Sequence, residues 1–163
     1  MAIGSLAGQA PAEGLLIATV RFGAAEHVVV APSSLFSFPE ALPGLPDSHR
    51  YALIGDESSA PLFWLQSLEE QAACLPVLES ASLAVAGYAE HVGQSLGAED
   101  DARVFVVTRF DPEAGCFVVN LLAPVVLDQR AGTGRQVVLD SQGYPLRQAV
   151  QWDAAARNFT VPC

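Results

Sequence analysis

VFVVTRF at Val104 to Phe110, CFVVNLL at Cys116 to Leu122, PVVLD at Pro124 to Asp128 and QVVLD at Gln136 to Asp140 decide the fold. These runs are rich in β-branched and aromatic residues, which pack well on a pleated surface and lose rotamer freedom in a helix. Asp111 to Gly115 (DPEAG) and Gln129 to Gly134 (QRAGTG) separate them at hairpin length, with glycine where a positive φ is needed. An antiparallel meander is the expected result.

Working back toward the N-terminus, Leu15 to Phe22 and His27 to Ala31 form a further pair of runs joined at Gly23 to Glu26, a predicted hairpin. Ser34 to Phe38 alternates apolar and small polar residues. It leads into Pro39 to Pro46, where three prolines exclude a regular ladder and predict a stiff, partly apolar loop. Tyr51 to Ile54, Pro61 to Gln66 and Leu75 to Glu79 read as strands. Ser67 with Glu70 three residues on has the form of a capping box, which predicts one helical turn. Between Ser80 and Glu99, the apolar residues Leu83, Val85, Tyr88, Val92 and Leu96 recur at three-to-four spacing, so one or two short helices are expected there. The predicted fold is mainly β: a small antiparallel β-barrel-like fold with one or two short helices.

The 163 residues are 51% hydrophobic and carry eight arginines, no lysine and 18 acidic side chains, for a net charge of -10. A chain of this length buries roughly 70% of the surface its unfolded form exposes, so one domain is expected. Residues 1–14, rich in small residues, read as a flexible leader, and residues 151–163 as a C-terminal tail. The acidic balance argues against direct nucleic-acid binding, which draws most of its affinity from basic side chains. No apolar run reaches the ~18 residues of a membrane span. Three widely spaced cysteines, Cys74, Cys116 and Cys163, do not make a disulfide framework and fit a reducing cytoplasm.

Catalytic patterns are missing from the sequence. His27, His49 and His91 lie far apart, and no Cys-x-x-Cys or His-x-x-x-His spacing gathers metal ligands. Gly132-Thr133-Gly134-Arg135 lacks the lysine of a phosphate loop and reads as a turn. Ser67 and Ser141 have no nucleophile elbow around them. Cys74 and Cys116 in apolar runs read as small core residues, the other reading being a thiol nucleophile paired with a distant histidine. Leu42, Leu45, Phe63, Trp64, Leu65 and Trp152 are large apolar residues near loops, and Trp64 is either an interface anchor or a core filler. The residues alone describe an acidic β-rich domain that binds rather than catalyses, with no cofactor.

Three blocks then resemble a known family. FPEALPGL at Phe38 to Leu45, PLFWLQSL at Pro61 to Leu68, and NLLAPVV at Asn120 to Val126 together with RQVVL at Arg135 to Leu139 and Tyr144-Pro145 are similar, in order and spacing, to the flagellar assembly factor FliW family. The resemblance covers about residues 18–150 and implies one domain over 15–150, a barrel-like fold and no enzymatic activity. It implies two partners in the cytoplasm. One is flagellin. The other is the carbon storage regulator CsrA, whose repression of flagellin translation such a protein relieves, with neither nucleic acid nor membrane bound directly and a monomer when free. A groove lined by residues such as Phe63 and Leu65 would suit an amphipathic flagellin segment, and the net charge would speed encounter with a basic RNA-binding regulator.

Within the matching motifs, the partner-binding candidates are Leu65, Gln66, Asn120, Ala123, Pro124, Tyr144 and Arg147. Each has a structural reading beside the functional one. Asn120 bonds a neighbouring backbone turn, Pro124 breaks a strand, and Arg147 pairs with a carboxylate such as Asp140. The alternative function from another class is a small-ligand-binding β-barrel or a cysteine-dependent enzyme using Cys74 or Cys116.

Overall fold

The computed structural model describes residues 14–21, 24–96, 102–139 and 143–162. In chain order the strands are β1 (Leu15–Arg21), β2 (Ala24–Val30), β3 (Leu35–Ser37), β4 (Arg50–Ile54), β5 (Leu62–Ser67), β6 (Cys74–Glu79) and β7 (Leu83–Ala84). The helix α1 (Tyr88–Leu96) follows, and then β8 (Ala102–Asp111), β9 (Cys116–Val119), β10 (Val125–Asp128), β11 (Thr133–Gln136), β12 (Gln148–Asp153) and β13 (Asn158–Thr160). No helix among the described residues is long and apolar enough to cross a membrane.

Strands β10, β11, β3, β4, β5, β6 and β8 lie side by side in that order, and β8 returns to pair with β10, which closes a ring. Every neighbour in the ring is antiparallel except β11 and β3, which meet at one parallel bridge between Thr133 and Ser37. The length of β8 gives it two roles. Residues 102–105 pair with β10, while residues 108–111 pair with β9 and start a second sheet that runs on through β12, β13 and β7. The expected barrel-like fold is therefore present as a ring with a sheet grown from one strand.

Three apolar clusters hold these layers together. Phe36, Phe38, Tyr51, Leu53, Phe63, Leu65, Phe105 and Leu127 fill the ring. Edge-to-face ring pairs at 5.0 Å (Phe38 with Tyr51) and 5.7 Å (Phe63 with Phe105) interlock its aromatic residues. The alternate residues of β4 and β5, Ala52, Ile54 and Trp64, pack instead with Ile17 and Val30 of the β1–β2 hairpin, which lies over the outside of the ring. This is why β4 and β5 read as nearly unbroken apolar runs: both faces are covered. Tyr88 and Val92 of α1 pack with Leu78, Val106, Val119, Val150 and Phe159 in the third cluster, and the Tyr88 hydroxyl donates to the Leu121 carbonyl at 2.9 Å.

Several expectations differ from the structure for identifiable reasons. The hairpin connection predicted at Gly23 to Glu26 is shorter, because Ala24 to Glu26 belong to β2; Arg21 Nε donates to Glu26 Oε1 at 2.9 Å across the strands. Ser67 does accept from the amides of Glu69 and Glu70, at 3.1 and 2.9 Å, but these bonds close a bend and no helical turn forms. The strand expected at Gln136 to Asp140 is β11 at Thr133–Gln136. There Gly134 is needed by the core, since a Cβ on it would stand 2.4 Å from Phe38 Cζ and 2.9 Å from Leu127 Cδ2. The segment read as a C-terminal tail contributes half of β12 and all of β13, with Phe159 buried. The leader expected at residues 1–14 lies, apart from Gly14, outside the described residues.

Candidate functional site

The expected groove at Phe63 and Leu65 does not exist, because both side chains point into the ring and are 6% and 1% exposed. A different hollow, of about 500 Å³, opens on the surface where several stretches distant in sequence converge. Its lining includes Leu42 and Leu45 from the proline-rich loop, Asn120 and Ala123 from the β9–β10 connection, and Val138 and Leu146 from the segments after β11 and before β12. Val138 and Leu146 are 57% and 58% exposed, although both are aliphatic. Among the described residues no charged side chain lines the hollow, and Asn120 and Gln136 are its polar groups.

Its walls are held by backbone bonds rather than by side-chain packing alone. The Leu45 amide donates to the Leu42 carbonyl at 2.9 Å, which curls the loop so that Leu42 enters the ring core and Leu45 stays partly open. Asn120 Oδ1 accepts from the Ala123 amide at 3.1 Å, and Gln136 Nε2 donates to the Ala123 carbonyl at 3.0 Å. The Val137 amide donates to Pro124 O at 2.9 Å and the Leu139 amide to Leu122 O at 2.7 Å, while Leu121 and Leu122 share the Pro145 carbonyl at 3.2 Å. The apolar surface is thus preorganised, which spares a partner the cost of ordering it.

The sequence-derived candidates fall into three groups. Asn120 and Ala123 line the hollow, and the Asn120 side chain also makes the turn bond that its structural reading anticipated. Pro124 is buried beneath them, while exposed Arg147 follows Leu146 at the rim; its proposed partner Asp140 lies outside the described residues. Tyr144 turns toward α1, where its hydroxyl hydrogen-bonds to His91 Nδ1 and its ring meets Tyr88 edge-on at 4.8 Å. Leu65 and Gln66 are elsewhere. Gln66 is fully buried, with Nε2 donating to Ser67 O at 2.9 Å and Gln71 O at 3.0 Å, so it serves the fold and not a surface. Trp64 is a core filler beneath the hairpin, with the Arg21 guanidinium 5.0 Å from its ring centroid.

Leu75, Val107, Val138 and Leu146 also border the hollow and were not legible as site residues. Each sits in or beside an apolar run of the kind that usually enters a core. Among the described residues no group of three or more His, Cys, Asp or Glu is placed to hold a metal ion. Burial pushes the Cys74 thiol up from its ordinary value, against the smaller opposing effects of the Thr19 hydroxyl, the Val20 amide and Arg21. That is opposite to what a cysteine nucleophile needs.

Fold and site together define a ring-closed, mainly β domain that presents an apolar hollow. The solved structure of the flagellar assembly factor FliW has this fold: it superimposes with a TM-score of 0.62 over 83% of this chain and 96% of its own, at 20% identity. The model of the FliW protein family matches residues 17–150, and the chain belongs to that family. Among relatives named flagellar assembly factor FliW, that of Bdellovibrio bacteriovorus is 31% identical over 141 residues, which span 83% of this chain and 79% of the relative. That of Carboxydothermus hydrogenoformans is 32% identical over 126 residues, or 72% and 79% of the two chains. The Thermotoga maritima protein is 28% identical over 142 residues, covering 83% and 94%.

Proposed function

We propose that this member of the FliW family is a flagellar assembly factor, without enzymatic activity, that binds flagellin in the cytoplasm and antagonises CsrA. Flagellin occupying the protein leaves CsrA free to repress; export of flagellin frees the protein to bind CsrA, and flagellin synthesis resumes. The observation that carries the reading is the hollow bordered by Leu42, Leu45, Val138 and Leu146. Its lining, uncharged among the described residues, and its exposed aliphatic rim suit the apolar face of an amphipathic segment such as an unpolymerised flagellin terminus presents. Asn120 and Ala123 lie within that contact, Arg147 at its rim, and Pro124 holds its wall through the bond from the Val137 amide. Tyr144, against α1, and Leu65 and Gln66, in the core, lie away from it. The net charge of -10 favours long-range attraction to a basic RNA-binding protein.

Calorimetric titration of the purified protein with monomeric flagellin and with CsrA, followed by competition between them, tests this reading. Micromolar or tighter binding to both, with mutual exclusion, is expected. Binding to flagellin alone would reduce the role to that of a chaperone, and binding to neither would refute it.

A further inference from the structure

The two edges of the β1–β2 hairpin are unlike. On β1, the Val20 amide donates to Gln66 Oε1 at 3.4 Å and Thr19 Oγ1 lies 3.6 Å from Cys74 Sγ, so this edge is fastened to the ring. The Val20 bond points away from β2, which makes Val20 and Ala25 a pair that exchanges no ladder bonds. Alternation along the ladder then turns the backbone groups of Ala25, His27 and Val29 outward on the far edge of β2. Among the described residues these outward groups have no hydrogen-bond partner. Of the devices that keep an edge from pairing, the strand has one charged side chain, Glu26, and that is engaged by Arg21 of β1. Ala24–Val30 contains no lysine and no proline, and its residues match β1 one for one without a bulge.

A groove of about 700 Å³ runs beside this edge, with Val28 and Val30 on one wall, Asp56 and Ser59 of the β4–β5 turn on the other, and Ile54 and Trp64 also lining it. Its charged groups are Arg21, Glu26 and Asp56. Arg21 is engaged by Glu26 and by the Trp64 ring. Asp56 accepts from the Ser58 hydroxyl at 2.6 Å and the Ser58 amide at 2.8 Å, bonds that hold its carboxyl below the usual carboxylate range. The groove therefore offers an open strand edge, apolar lining and a fixed negative charge on the facing wall.

We propose that the β2 edge is a second interaction surface, which takes one extended segment of a basic partner as an added strand, with a lysine or arginine of that segment against Asp56. The facing wall favours a single strand, about 4.8 Å from β2, over a broad surface. A second copy of this chain is disfavoured as the occupant, because it would bring another Glu26, another Asp56 and a further charge of -10 to the same place. This surface is separate from the hollow at Leu146, and the inference does not depend on the reading given to that hollow.

The test uses the full chain labelled with nitrogen-15 and the capped peptide acetyl-Lys-Val-Thr-Val-Lys-Val-amide as probe. In the free chain the amides of Ala25, His27 and Val29 should exchange with solvent much faster than those of Glu26 and Val28, and saturating peptide should slow them by about tenfold or more. His27→Pro removes an outward N–H that β1 does not use, so it should keep the fold and lose the peptide. Asp56→Asn retains the turn bonds and should weaken binding by about twofold to fivefold at low salt. Protection of the outward amides in the free chain, or no slowing at millimolar peptide, would overturn the proposal. Should His27→Pro disturb the hairpin, unchanged affinity in Asp56→Asn would overturn it instead.

Discussion

The backbone amide of Val20 donates to the side-chain oxygen of Gln66 at 3.4 Å, joining the N-terminal hairpin to the ring across 46 positions of sequence. Gln66 can do this because its own amide group is spent on carbonyls of the Ser67 to Ala73 bend, at 2.9 Å to Ser67, 3.0 Å to Gln71 and 3.3 Å to Ala73. One buried side chain thus sets both the bend after β5 and the seat of β1.

Gln66→Leu keeps the volume but removes the acceptor of the Val20 amide and the donor to the Ser67 carbonyl, while Ala73 O keeps its bond from the Ser67 amide. Leaving such groups unpaired costs about 1–3 kcal/mol each where water cannot replace the partner. The variant is expected to lose about 2–3 kcal/mol in urea unfolding, and the Val20 amide should exchange faster while amides of β8 do not. Unchanged exchange at Val20 would show that the hairpin is held by apolar contact alone.

Gly134→Ala tests the closest approach in the ring. The added Cβ would meet the Phe38 ring at 2.4 and 2.5 Å, so the ring must tilt away from Tyr51 or β11 must shift. Overpacking of this kind costs about 1–3 kcal/mol. A fall in thermal midpoint is expected, partly recovered by Phe38→Leu in the same chain; additive losses in the double variant would place the strain elsewhere.

Aspartate at Leu65 and at Leu146 should separate core from site. Leu65 is 1% exposed inside the ring, where an unpaired carboxylate has no compensation, so Leu65→Asp is expected not to fold stably. Leu146 is 58% exposed, and Leu146→Asp should unfold at the native midpoint while its affinity for flagellin falls by about tenfold or more. Circular dichroism melts and calorimetry read the two outcomes; native flagellin affinity in folded Leu146→Asp would remove the hollow from the proposed function.

The strands were legible because β-branched runs and turn residues act locally. Val104 to Phe110 and Tyr51 to Ile54 are strands for reasons contained within them. The ring's closure was not, because it depends on β8 changing partner from β10 to β9 midway, and nothing in VFVVTRF marks the switch. Gly134 looked like part of a turn, since the ring that requires its hydrogen belongs to Phe38, far away in sequence. Asn120 and Ala123, singled out by their motif, line the hollow. Val138 and Leu146 were not, because an aliphatic side chain in an apolar run carries no sign that its strand face lies outside. Leu65 and Gln66 show the converse: a motif also marks residues whose side chains the fold buries.

Cys74 distinguishes the binding reading from a thiol enzyme. Burial raises its pKa and keeps the thiol protonated at neutral pH. In a Cys163→Ser background, a disulfide reagent at pH 8 should modify the native protein at least about tenfold more slowly than the urea-unfolded chain, with the rate climbing only at alkaline pH. Rapid native labelling that saturates below pH 8 would instead indicate an activated thiolate.

Alkaline pH should destabilise the protein through two buried tyrosines. Burial raises the hydroxyl pKa of Tyr88 well above its ordinary value, with Tyr144 adding a smaller push. Tyr51 is raised as well, chiefly by burial, against a smaller opposing effect of Ser48 and with Glu69 and Glu70 adding to the rise. In the unfolded chain both phenols ionise near the ordinary value of about 10, whereas the native state keeps its protons, so above that pH the unfolded state binds fewer protons than the native one. Stability is therefore fully present below about pH 10 and falls as the pH rises beyond it, toward the raised native values. Tyr88→Phe removes one of the two groups, at a cost of about 0.5–1.5 kcal/mol at neutral pH for the lost bond to Leu121 O. Urea unfolding between pH 7 and 11 should show a shallower alkaline decline in Tyr88→Phe than in the parent chain. Parallel declines would mean that Tyr88 ionises freely in the native state and that its burial against Tyr144 and Leu121 is not maintained in solution.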